Sequence, residues 1–152
     1  MKDAIKVQGT YRLNITQDGK IVGDSGWKHN QVVNLGFLDY LTKTLGAISG
    51  SKQISYVALG TGGAPAAADT SLAGEVVKRA AVTAATSSSS KTLRFTATFE
   101  SAASFVTDTK NISNIGLFNT SSSGTLFAGN TYASSSVATN QNVNITYDIT
   151  FA

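Results

Sequence analysis

From Asn142 to Phe151 the chain reads Asn-Val-Asn-Ile-Thr-Tyr-Asp-Ile-Thr-Phe, with an apolar side chain at every second position. A period of two belongs to a strand with one buried and one wet face. The same alternation, broken by Ser, Gly and Asn turns, recurs along most of the sequence. It predicts an all-β protein: an antiparallel β-sandwich or jelly-roll-like domain whose outer faces carry small hydroxyls and amides.

The 152 residues suit one domain over 1–152 with a sizeable core. Charged residues make up only 14%, well under the usual share. Ser, Thr, Asn, Ala and Gly take their place. The net charge of +3, from 12 basic and 9 acidic residues, is mild. Lys and Arg form no run, so no nucleic-acid partner is expected. Cysteine is absent, which excludes disulfides and thiolate metal sites. No apolar run reaches about 18 residues, so no helix is expected to span a membrane. Met1-Lys2-Asp3-Ala4-Ile5-Lys6 has charge where a secretory signal needs its apolar core, which argues against export by that route.

Ile5, Val7, Gly9, Tyr11, Leu13 and Ile15 predict a long first strand bent or bulged at Gly9. Residues 1–15 are the candidate N-terminal arm or edge strand. Asp18-Gly19 supplies the positive φ of a hairpin turn, and strands are expected from Ile21 and from Trp27 to Val33. Leu35, Leu38, Leu41 and Leu45 predict one short helix over about residues 34–45, capped by Asn34 and Gly46, its leucines facing the core. Gln53 to Gly60 reads as a buried strand and Asp69 as the cap of a helical turn over Thr70 to Val76. A hairpin is expected from Val77–Thr86 and Thr92–Phe99 around Ser87-Ser88-Ser89-Ser90. After a loop over 101–110, strands are expected at Ile112–Phe118, Thr125–Ala128 and the terminus, about nine in all.

Catalytic groups are sparse. Gly60-Thr61-Gly62-Gly63 follows a strand, but Ala64-Pro65-Ala66 stands where a phosphate loop needs Gly-Lys-Ser/Thr. Its glycines read instead as a turn that lets chain segments pack closely. His29 is the single histidine and has no second ligand at metal spacing. Glu75 and Arg79, four apart, are placed to pair. No two acids stand out as a glycosidase pair. No catalytic, cofactor-binding or metal-binding residue is assigned, and the chain is not expected to be an enzyme. Trp27, in Gly26-Trp27-Lys28-His29, reads as a core or interface aromatic.

Three segments resemble a pattern found in small virion structural proteins of tailed bacteriophages. The first is Asn30-Gln31-Val32-Val33-Asn34-Leu35-Gly36. The second is Tyr56-Val57-Ala58-Leu59-Gly60-Thr61-Gly62, followed by Ala64-Pro65, Asp69-Thr70-Ser71-Leu72, Glu75-Val76 and Arg79. The third is Ile115-Gly116-Leu117-Phe118, then Gly124-Thr125-Leu126-Phe127-Ala128-Gly129 and the alternating terminus. The third is also similar to tail-collar and fibre domains, where an acidic residue often stands at the position of Asn114. The resemblance implies a capsid decoration (cement) protein that binds major capsid proteins and forms a homo-oligomer, a trimer by preference. The alternatives are a tail, baseplate or fibre-attachment subunit, or a host-carbohydrate-binding module. The implied location is the virion, assembled in the host cytoplasm. Ile5, Val7, Tyr11, Trp27, Gly60, Thr61, Gly62, Gly63 and Pro65 are the candidate interface residues.

Overall fold

Eleven strands carry the alternation into two antiparallel sheets of a sandwich in the computed structural model, which describes residues 4–76, 78–86 and 89–152. In chain order they are β1 (Val7–Gln17), β2 (Lys20–Asp24), β3 (Lys28–His29), β4 (Gln31–Val32), β5 (Tyr56–Gly60), β6 (Ala80–Ala81), β7 (Thr83–Ala85), β8 (Thr92–Phe99), β9 (Lys110–Phe118), β10 (Leu126–Val137) and β11 (Asn142–Phe151). One sheet runs β2-β1-β11-β8-β7, with β3 also on β1. The other runs β4-β10-β9-β5-β6.

Register turns the two-residue period into ranks of core side chains. Tyr11 faces Tyr147, Leu13 faces Ile145 and Ile15 faces Val143 across β1 and β11. Phe95 and Phe99 of β8 extend those ranks. Opposite them lie Val57, Leu59, Ile112, Ile115, Leu117 and Phe127 of the second sheet. Each such side chain removed from water contributes about 1.5–3 kcal/mol. The intervening positions of the first sheet are polar. Thr92 and Thr150 hydroxyls pair at 2.8 Å, and Arg94 holds Asp148 through two bonds of 2.7 Å.

The second sheet is covered on both faces. The stretch from Ile115 to Phe118 is buried without alternation, as a two-sided strand should be. Its outer cover is the segment 61–76, with Leu72 packed among Val33, Ala58, Phe118 and Leu126. The expected helical turn over Thr70 to Val76 is therefore absent. That segment bends at Thr70-Ser71 and turns at Ala73-Gly74, where Gly74 takes a positive φ, before Glu75 bridges to Gly60 and the Val76 N–H donates to Leu59 O at 2.8 Å. Asp69 instead accepts the Ala66 N–H at 2.8 Å and closes a turn.

Two short segments switch sheets. β3 joins β1, and three residues later β4 joins β10. On the opposite flank β6 joins β5 and β7 joins β8. Such two- and three-residue strands raise the strand number above the nine or so expected. β10 likewise unites Thr125–Ala128 with the polar stretch beyond Thr131, its register shifting between Thr131 and Ser135.

Three local expectations are corrected. Pairing runs unbroken through Gly9, opposite Ile149, and the irregularity of β1 lies between Ile15 and Thr16. Gly9 is required because the Asn30 side chain sits on its α-carbon. From Val7 onward the candidate arm is an inner strand, flanked by β11 on one side and β2 and β3 on the other. The helix is present, but its segment Gly36–Thr42 is π-wound before an α-helical turn, Lys43–Leu45. The wider turn buries Gly36 and Tyr40, while Leu38 and Leu45 face solvent. No side-chain cap closes its start; Gly46 is its C-cap as expected, with the left-handed conformation one residue later at Ala47 (φ 48°). Asp18 and Gly19 adopt the expected positive φ. The start of the strand expected at Val77, the Ser87-Ser88 half of the serine loop and Met1–Asp3 of the arm lie outside the described residues.

Candidate functional site

The helix and the first sheet leave a gap between them. Gly36 fixes the near end of the helix, because a Cβ there would lie 2.2 Å from Phe127 O. Tyr40 anchors the middle: its hydroxyl donates to Thr125 O, and its ring meets Phe127 edge-on at 5.1 Å. Beyond Tyr40 the helix stands away from the ends of β1, β8 and β11. The gap is a cleft of about 720 Å³. Val7, Leu93, Ile149 and Phe151 form its sheet wall, and Phe37, Leu41 and Leu45 its helix wall. Ile5 stands at the mouth. π-turns are uncommon and often accompany functional sites. Here the π-turn lets Phe37 and Leu41 line the cleft while Tyr40 stays in the core.

Thr44, Lys52 and Gln53 are the polar residues of its lining, and the Lys52 ammonium is committed to Asp39. Asp39 accepts from the ammonium groups of Lys43 and Lys52, each at 2.6 Å, and its carbonyl accepts the Lys52 N–H at 3.0 Å. These bonds hold the Asp39 carboxyl below its ordinary range and strap the following segment to the helix. The walls therefore suit hydrocarbon and offer little to a sugar or a phosphate. Apolar exposure extends past the cleft. Leu45 is 89% exposed, Ile5 79%, Leu38 55% and Ile48 52%. Monomeric surfaces rarely leave so large an apolar patch uncovered.

The expected interface residues are divided among four places. Ile5 and Val7 line the cleft. Tyr11 is fully buried, its hydroxyl donating to Thr131 O at 2.8 Å, so it belongs to the core and not to an interface. Trp27 is half exposed, on the flank where Ile21 and Val22 of β2 are also exposed. Gly60 to Gly63 and Pro65 lie against the second sheet. A Cβ on Gly60 would meet Asn114 Oδ1 at 2.4 Å, and one on Gly62 would meet Ala73 at 2.5 Å. These glycines let two segments of this chain approach, which is the packing role expected of them. Pro65 is buried. The sequence reading missed Phe37, Leu38, Leu45 and Ile48. Their signal was an apolar residue on every face of one short helix, more than a core can absorb.

The resembling segments are joints of the sandwich. Asn114, fully buried, donates from Nδ2 to Gly63 O at 3.0 Å and Ala73 O at 2.9 Å. Arg79 binds both oxygens of Glu75 and also donates to Thr120 O and Ser123 O. Its guanidinium lies 3.6 Å from the centre of the Phe118 ring. His29 is exposed on β3. Among the described residues no three His, Cys, Asp or Glu side chains gather to hold a metal. No protein-family model, curated protein or solved structure matches this chain.

Proposed function

We propose that this chain is a non-catalytic structural subunit of a bacteriophage particle: a capsid decoration protein that binds the major capsid protein and self-associates, a trimer by preference. The observation that carries the reading is the uncovered apolar face formed by the cleft and by Ile5, Leu38, Leu45 and Ile48. On this face the Asp39 carboxylate already holds Lys43 and Lys52, so burying the apolar patch desolvates few unpartnered ions. The three resembling segments support the phage assignment. Their residues form the glycine joint at Gly60–Gly62, the Asn114 bridge and the Arg79 clasp.

The second reading is a tail, baseplate or fibre-attachment subunit, favoured by Ile115-Gly116-Leu117-Phe118, which forms the buried C-terminal end of β9. Gold-labelled antibody against the chain, applied to particles released from cells carrying its gene, separates the two. Label on heads is the expected result. Label on tails selects the second reading, and particles without label overturn both.

A further inference from the structure

We infer that the cleft and its projecting helix are the contact between copies of this chain, with the apolar ridge of one copy seated in the cleft of the next. The argument begins with what must be covered. A small apolar ligand would fill the cleft but leave Leu38 and Ile48 in water, since neither lines it. Only a macromolecular surface covers the whole patch.

Area favours a second copy. At about 100 Å² for a fully exposed aliphatic side chain and about 200 Å² for an aromatic one, the exposed fractions of Ile5, Phe37, Leu38, Leu45 and Ile48 give roughly 350–400 Å². A standard interface takes about 800 Å² from each partner, which these five residues reach together with the apolar walls of the cleft and a polar rim. Shape agrees. The patch contains both a projection, Leu45, and a hollow beside it, so the projection of one copy can enter the hollow of the next around a closed ring, as a three-fold assembly requires. Charge does not oppose it, because Asp39 already neutralises one of the two lysines on this face.

The inference rests on the assembly reading only in taking the chain to self-associate, and the tests are separable. Particle labelling reports location, whereas solution mass reports the face. Sedimentation velocity across a wide concentration range should show an oligomer. Leu45→Glu should raise its dissociation constant about tenfold or more, and Ile48→Glu should repeat the effect should the first variant fold poorly. Ile21→Ser with Trp27→Ser, on the other exposed flank, should leave it unchanged. Ala84 of β7 also lines the cleft, and the chain has no cysteine, so a mixture of Leu45→Cys and Ala84→Cys chains should form a disulfide between chains under mild oxidation. A monomer at every concentration overturns the inference. So does an oligomer weakened by the Ile21 and Trp27 changes but not by Leu45→Glu, or a mixture that yields no cross-link.

Discussion

The side chain of Asn30 lies directly on the α-carbon of Gly9: a Cβ at residue 9 would be 1.7 Å from Asn30 Oδ1. Asn30 is the hinge between β3 and β4, and its N–H donates to Gly9 O at 2.9 Å. Its buried amide sits beside the Tyr147 hydroxyl without an ordinary hydrogen bond between them. Gly9→Ala should therefore displace Asn30 and cost about 2–3 kcal/mol, as overpacking does. Asn30→Ala removes the obstructing amide. The double variant, in urea unfolding, should be more stable than the two single losses summed.

Arg79 is 4% exposed in its side chain and satisfies Glu75, two loop carbonyls and the Phe118 ring together. Arg79→Ala should cost about 3–5 kcal/mol, because Glu75 and both carbonyls lose their partner. Arg79→Lys should recover little, since an ammonium cannot reproduce the fork. Denaturant midpoints of the three proteins check this.

Burial raises the ionisation of Tyr11, Tyr40, Tyr132 and Tyr147 far above the ordinary phenol range. Native absorbance near 295 nm should show these four still protonated at about pH 11, with ionisation appearing on unfolding. A group raised in the folded state stabilises it below its unfolded pKa. That contribution falls away as pH climbs past about 10.

At the acid end, Arg12 and the Gly26 N–H hold Asp24 down at about 2, and the two lysines also lower Asp39. Depressed carboxylates contribute fully above about pH 4 and lose that contribution as pH falls toward 2. The melting temperature should drop across that interval, and Asp24→Asn should flatten the drop.

Gly36→Ala would drive a methyl into Phe127 O, at 2.2 Å, and lift the helix from β10. The expected loss is about 2–3 kcal/mol, together with a wider cleft, read as increased binding of an apolar fluorescent dye.

Long-range alternation was enough to locate β8 and β11, whose ends fall where the period predicts. The Asp18-Gly19 turn was equally legible, because its φ values are local chemistry. What stayed hidden depends on neighbours. Strands were legible over Trp27–Val33 and Val77–Thr86, but not that each divides between the two sheets, as β3 and β4 and as β6 and β7, because the partners on β1, β10, β5 and β8 decide the division. Thr70 to Val76 looked helical, yet Leu72 gains more by covering the outer face of the second sheet. The leucine spacing marked the helix but not its winding. A π-turn moves the buried face from Leu38 to Gly36 and Tyr40, which hid the cleft. Arm and site residues were read from sequence position. Tyr11 shows why that fails: alternation assigns a face, and register decides that the face is the core.

The crossing segments at Asn30 and Val82 act as clasps on opposite flanks of the body. Shear between the sheets would have to unfasten both, so sliding and book-like opening are resisted at once. The end near Lys6 is fastened as well, where Lys6 and Ala152 exchange two backbone hydrogen bonds. The body is therefore braced on both flanks as well as through its core.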